Sequence, residues 1–215
     1  MMRVLSSLSF ALLAMHVPTV RAQVIRLPIR VQLLQSVGDS SISTTYGDEQ
    51  VRQLLSVANE VWRQAEIEWV LESVKRTPAG RGAAFDSLVR NEILRGRELL
   101  ETYFPRDSLL PNGWNVLLIR NFGQLGGGAF FANLSAVVLA ERGYGFELPA
   151  DGRGGRTLAH ELGHSLGLVH VDCDSTRNIM ANACWQPGFD SRLSTEQIAQ
   201  ARTQAKLGHA IRQWR

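Results

Sequence analysis

Apolar and polar residues alternate from Ile25 to Leu33, with Ile25, Leu27, Ile29, Val31 and Leu33 sharing one phase. That is the period of a half-buried strand. Pro28 falls on the polar phase and marks an edge or a bulge, because proline cannot donate to a sheet ladder. The period then changes: Val51, Leu54, Leu55, Ala58, Val61, Trp62 and Ala65 recur at helical spacing behind Asp48, a predicted N-cap. Ile67, Trp69 and Leu71 alternate again, so the chain opens strand, helix, strand and fits a βαβ crossover.

Thr77 to Gly82 read as a turn-rich link, and Phe85 to Tyr103 as a helix interrupted by Gly96. The run Trp114 to Phe122 is apolar enough for a central strand, and Ser135 to Ala140 for another. Between them lies the glycine run Gly126-Gly127-Gly128, followed by Ala129-Phe130-Phe131. Asp151 to Gly155 is glycine-rich and reads as a flexible approach to the next helix. Ser194 and Gln197 have capping-box spacing and open a last helix with Ile198, Ala201 and Ala205 facing inward.

Ahead of these elements, Met1-Met2-Arg3, an apolar run from Val4 to Val17 and Val20-Arg21-Ala22 have the form of a secretory signal peptide cut after Ala22. The run is too short for a confident membrane span. Residues 1–22 are therefore expected to be a leader, and residues 23–215 a single exported domain, secreted or periplasmic and monomeric. The formal charge of +3 falls near +1 once Arg3 and Arg21 leave with the leader. The remaining basic residues are dispersed among acids, which argues against a nucleic-acid partner. Cys173 and Cys184 are the only cysteines. In an exported chain, an isolated pair this close is expected to form a disulfide, which contributes on the order of 3 kcal/mol when unstrained.

The chemistry concentrates in His160-Glu161-Leu162-Gly163-His164-Ser165-Leu166-Gly167-Leu168-Val169-His170. Positions i and i+4 of a helix share a face, so His160 and His164 can present nitrogens to one metal ion. Gly167 can adopt positive φ and end the helix, which lets His170 approach the same ion from another side. Three neutral nitrogens leave a fourth tetrahedral position of Zn²⁺ for water, the mark of a catalytic rather than a structural site. Glu161 stands beside the first ligand, where a carboxylate can act as general base. Three of the five histidines of the chain lie in this motif and a fourth, His16, in the leader.

At these residues the chain resembles the metzincin clan of zinc endopeptidases, whose pattern H-E-x-x-H-x-x-G-x-x-H is matched at every fixed position. The resemblance implies a Met-turn at Asn178-Ile179-Met180, with Met180 packed beneath one catalytic zinc ion. It implies an α/β fold: a twisted mixed sheet, a long backing helix, a zinc-binding helix below the sheet and a small C-terminal subdomain beyond Gly167. It also implies that Gly128, Ala129 and Phe130 belong to an edge strand above the cleft that pairs with an extended peptide or protein substrate, the alternative for Gly126 to Phe131 being a glycine turn between strands. Asn182 stands where astacin-like and serralysin-like branches carry a tyrosine, so no tyrosine ligand is expected. Leu193 to Ile198 resembles the matrixin pattern that opens the last helix. The implied activity is secreted endopeptidase; a zinc-containing binding module without turnover, and a zinc amidase acting on a non-protein amide, are the alternatives.

Overall fold

The computed structural model describes residues 23–79, 109–111, 113–121, 127–143, 146–172, 177–181 and 191–212. The expected leader, the helix expected over Phe85 to Tyr103, Asn182 and the pair Cys173 and Cys184 lie outside the described residues.

Strand β1 (Ile25–Gln35), helix α1 (Asp48–Trp62) and strand β2 (Ile67–Pro78) form the expected crossover, with β1 and β2 parallel. Strands β3 (Trp114–Asn121), β4 (Gly128–Phe131), β5 (Ala136–Gly143) and β6 (Phe146–Glu147) complete a mixed sheet in the order β2-β1-β3-β5-β4, with β6 joined to β5. β1, β2, β3 and β5 are parallel, whereas β4 and β6 run antiparallel to β5. Helix α2 (Gly155–Ser165) carries the histidine motif and packs against α1. Helix α3 (Thr195–Ala205) closes the chain beyond it.

Several expectations about boundaries are corrected. Thr77 and Pro78 extend β2 rather than opening a link, because β1 offers partners as far as Gln35. Of the two readings of Pro28, the bulge is the one observed: β1 is an interior strand, β3 reaches only Ile29 to Leu33, and the register against β2 slips between Ile29 and Arg30. Asp48 is the first helical residue rather than the cap. Gly47 caps α1, and its amide donates to Gln50 Oε1 at 2.9 Å. Ala150–Gly154 leads into α2 as a tight turn kinked at Gly152, with Gly152 N–H (3.1 Å) and Gly154 N–H (2.9 Å) both donating to Pro149 O. Gly155 is required there, since a Cβ would stand 2.5 Å from Val57 Cβ on α1.

The larger core lies between the sheet and the helices. Leu27, Ile29, Val31 and Leu33 point down from β1, and Val51, Leu54, Ala58 and Trp62 point up from α1. A second cluster, including Leu34, Ile42, Leu117, Ile119 and Val138, covers the opposite face. β3 is consequently buried from Trp114 to Ile119, as a strand enclosed on both faces should be. The buried carboxylate of Glu141 accepts from the Thr44 hydroxyl, from Thr45 N–H (2.6 Å) and Oγ1 (2.7 Å), and from Tyr46 N–H (3.1 Å). Tyr46 Oη in turn donates to the Leu148 carbonyl at 2.6 Å, so the loop before α1 fixes the approach to α2.

Candidate metal centre and cleft

Helix α2 ends as its sequence requires. Gly167 has φ +84°, Leu168 N–H donates to Gly163 O (3.0 Å) and Gly167 N–H donates to His164 O (2.9 Å). These are the paired bonds of a Schellman ending, which reverses the chain with its carbonyls satisfied. Gln200 Nε2 on α3 donates to Gly167 O at 2.5 Å, and Ile211 N–H, in the segment after α3, to Ser165 O at 3.0 Å, so α3 and the segment after it clamp the turn. Val171 N–H then donates to Met180 O at 3.0 Å, tying the segment after His170 to the segment ending in Met180.

This path brings His160, His164 and His170 together. Their Nε2 atoms lie 3.1 Å (160 to 164), 3.0 Å (164 to 170) and 3.2 Å (160 to 170) apart. His160 Nδ1 is 2.7 Å from Ile179 O and His164 Nδ1 is 2.8 Å from Leu168 O. A carbonyl only accepts, so both Nδ1 atoms carry the proton and both Nε2 atoms present lone pairs. Facing lone pairs at such separations repel unless a cation lies between them. Nitrogens bound at ~2.0–2.1 Å around a tetrahedral Zn²⁺ would lie roughly 3.3 Å apart, close to what is observed. The donor set therefore fits a metal ion, with the Ile179 and Leu168 carbonyls orienting two ligands.

Burial disfavours the charged form of two of these rings, His160 and His164. His164 is pushed down to about 4, first by desolvation and then by the His160 and His170 charges. His160 is lowered mainly by desolvation. Glu161, only 7 % exposed, is pushed up to about 8 by burial, partly offset by a hydrogen bond from the Phe130 backbone amide. A cation beside it would pull that value back down.

Gly128, Ala129, Phe130, Glu161, His164, Val169 and His170 line a cleft of about 380 Å³. Gly128, Ala129 and Phe130 thus border the cleft, and β4 forms the outer strand above it among the described residues; Gly126 lies outside them. Met180 is fully buried, against Gly163 of the motif. Gly163, at an unspecified position of the pattern, was not singled out by sequence reasoning. A Cβ there would fall inside the radius of Met180 Sδ. Two indoles were also missed as supports: Trp62 Nε1 donates to Ala159 O (3.2 Å) and Trp114 Nε1 to Ser165 Oγ (3.0 Å). Nothing in their strand or helix periodicity distinguishes them from ordinary core residues.

No protein-family model and no curated protein matches the chain. Solved structures do. Mature mirolysin of Tannerella forsythia, in complex with a cleaved peptide, superposes with a TM-score of 0.54 at 16% identity over 88% of this chain and 97% of that one. Mirolysin in complex with compound 9 gives 0.59 at 17% identity, over 87% and 97%. Archaemetzincin of Methanopyrus kandleri gives 0.51 at 14% identity, over 84% and 96%. The chain therefore has an α/β, metzincin-like zincin fold.

Proposed function

We propose that the protein is a zinc-dependent endopeptidase that hydrolyses internal peptide bonds of an extended chain. The observation that carries this reading is the convergence of three imidazole Nε2 atoms within 3.2 Å of one another, beside a buried carboxylate in a cleft under an outer strand. Zn²⁺ held by His160, His164 and His170 would supply a Lewis acid for a carbonyl oxygen and lower the pKa of water toward 7. Glu161 takes the proton of the attacking water and passes it to the departing nitrogen. Gly128 and Phe130, on either side of Ala129 in β4, turn their main-chain groups away from β5 and offer them for strand addition by the peptide. Met180 forms an apolar floor beneath the metal ligands. The cleaved peptide held by mirolysin supports a peptide as the substrate class.

The same reading includes export through residues 1–22 and a Cys173–Cys184 bridge that pins the segment carrying Met180. Exported protein should begin at Gln23, and its cysteines should resist alkylation until reduced. For the activity, purified protein is incubated with a diverse peptide mixture beside a Glu161→Ala variant of equal zinc content, and the products are read by mass spectrometry. Internal cleavage by the wild type alone supports the proposal. Cleavage by neither protein on peptides or denatured protein removes it.

A further inference from the structure

The segment from Arg177 to Ala181 carries two groups on which the candidate metal centre leans: the Ile179 carbonyl behind His160 Nδ1 and the buried side chain of Met180. It is entered through a left-handed residue, Arg177 at φ +56°, a conformation that a Cβ disfavours. Bonds to neighbouring elements therefore have to set its course. Ile179 N–H donates to Arg192 O at 2.9 Å, and Met180 O accepts from Val171 N–H at 3.0 Å. Those two are main-chain bonds, and one side chain adds to them.

Asn178 Oδ1 accepts from Met180 N–H at 2.8 Å, and Asn178 Nδ2 donates to Gln197 Oε1 at 2.7 Å. The same Gln197 oxygen accepts from Ser194 N–H at 2.8 Å, while Gln197 N–H donates to Ser194 Oγ at 3.2 Å, the capping box that opens α3. A main-chain N–H only donates, so Met180 draws the oxygen of Asn178 toward itself and Ser194 draws the oxygen of Gln197. The Asn178 amine is thereby left facing an acceptor, and the two side-chain orientations agree. A capping box needs one donor at that oxygen. The second donor, from 19 positions earlier, joins the start of α3 to the segment beside the candidate ligands.

We infer that Asn178 and Gln197 are a positioning pair for the metal centre: through them the N-terminus of α3 fixes the Ile179 carbonyl against His160 Nδ1 and so aims His160 Nε2 at the ion. The aiming rests on the metal-binding part of the function proposed above; the hold on the ring belongs to the protein alone. Neither bond of the pair involves His160, so its loss acts on ligand orientation and leaves the ligand count as it was. Gln197 serves two ends, the stability of α3 and the aim of His160, and these can be separated. Ser194→Ala breaks the box from its other side: it deletes the hydroxyl that Gln197 N–H uses but leaves the main-chain N–H at position 194 and both bonds to Gln197 Oε1.

The test follows zinc loss from the loaded protein into excess chelator, beside thermal melts. A direct hydrogen-bond partner of a ligand is typically worth about 10- to 100-fold in metal affinity, and the pair acts one bond further out, so about 3- to 10-fold is expected. Gln197→Ala and Ser194→Ala should lower Tm alike, but only Gln197→Ala should release zinc faster by that factor. Asn178→Ser, which keeps an acceptor for Met180 N–H and loses the donor to Gln197, should match the acceleration. Gln197→Glu, which keeps an acceptor for both donors, should stay within about twofold of the wild type. With cobalt(II) in place of zinc, the visible absorption bands should change in the two fast variants alone. Equal zinc loss in Ser194→Ala and Gln197→Ala, or zinc loss at the wild-type rate in Asn178→Ser, would overturn the inference.

A second readout needs no metal. In metal-free protein labelled with ¹⁵N-histidine, the Nδ1–H of His160 donates to Ile179 O and that of His164 to Leu168 O. In Asn178→Ser the His160 proton should exchange about fivefold faster, while the His164 proton keeps its wild-type rate. Unchanged exchange at His160 would mean that the Ile179 carbonyl is fixed without the pair, and the inference falls. If the wild type holds no zinc but the His160 proton behaves as expected, the metal reading fails, and the aiming with it, while the pair's hold on the ring stands.

Discussion

Helices α1 and α2 pack against each other beneath one sheet, yet they are built on opposite principles. α1 buries one stripe, Val51, Leu54, Leu55, Ala58, Val61 and Trp62, and gives its other face to solvent and to surface pairs such as Arg52 with Glu49. α2 buries nine of its eleven residues, among them Thr157, Glu161, His164 and Ser165. Its packing residues are small, and it gains its hold through close backbone approach and bonds from outside: Trp62 to Ala159 O, Trp114 to Ser165, Gln200 to the turn beyond it. α1 contributes stability through apolar burial. α2 carries ionisable groups that burial penalises, and its neighbours supply the compensation.

The contrast breaks most visibly in paired substitutions. On the proposed function, Glu161→Ala in α2 should lower turnover about 10²- to 10⁴-fold with zinc content unchanged, because it would remove the proton acceptor and none of the proposed metal ligands. Leu54→Ala in α1, about 1 % exposed, should cost ~2–5 kcal/mol of stability and leave kcat per folded molecule as it was. Steady-state kinetics beside denaturant melts separate the two. A loss of kcat in Leu54→Ala without a loss of stability would mean that α1 is part of the chemistry rather than its support.

The pH dependence of metal-free protein sharpens the same comparison. Glu161 has a folded pKa near 8, raised by burial, so its contribution to stability is fully present below its ordinary carboxylate value and is lost as pH rises through 8. His164, pushed down to about 4, acts in the other direction: stability is complete above the ordinary histidine value and is lost as pH falls toward 4. Glu161→Gln should therefore raise the Tm of metal-free protein progressively from about pH 5 to pH 8 and have little effect below. A Tm gain independent of pH would show that the carboxylate is not held in a desolvated place.

Next in size is Gly163→Ala. Helix propensity alone would favour alanine by about 1 kcal/mol. A Cβ there overlaps Met180 Sδ, however, and Trp62 lies just behind. The net result should be a loss of about 1–3 kcal/mol with weaker zinc retention, since Ile179, the neighbour of Met180, orients His160. A matched Ala58→Gly in α1 should lose stability without altering zinc affinity. If Gly163→Ala stabilised the protein, the floor formed by Met180 would be able to move at no cost.

The two helices also differ in what their sequences disclose. The apolar stripe of α1 and the alternation of β1 are periodic signals, and both elements form where the pattern places them. The convergence of the three histidines could be read from spacing and one glycine, because helix geometry and a positive-φ ending are local properties. The hold on α2 could not. The Ile179 and Leu168 carbonyls on the imidazoles and the indole of Trp114 on Ser165 are long-range or main-chain contacts without a residue signature. Boundaries failed for a related reason: β2 continues through Thr77 and Pro78 because β1 lies beside it, and no local pattern records the length of a neighbour.

The smallest effect expected is that of Gln200→Ala. The amide of Gln200 donates to Gly167 O at 2.5 Å from an exposed position on α3, so water can replace it and the stability cost should be at the low end of ~0.5–1.5 kcal/mol. Its position makes it informative despite its size. Gly167 is the residue at which the chain leaves α2 and turns toward His170, so loosening that turn should act on the third ligand more than on the helix that carries the first two. Competition against a chelator should show a fewfold faster loss of zinc at nearly unchanged Tm, whereas Arg52→Ala on the exposed face of α1 should change neither. Equal zinc loss in both variants would assign the rigidity of the turn to the Schellman bonds alone, and the C-terminal helix would then cover the site without holding it.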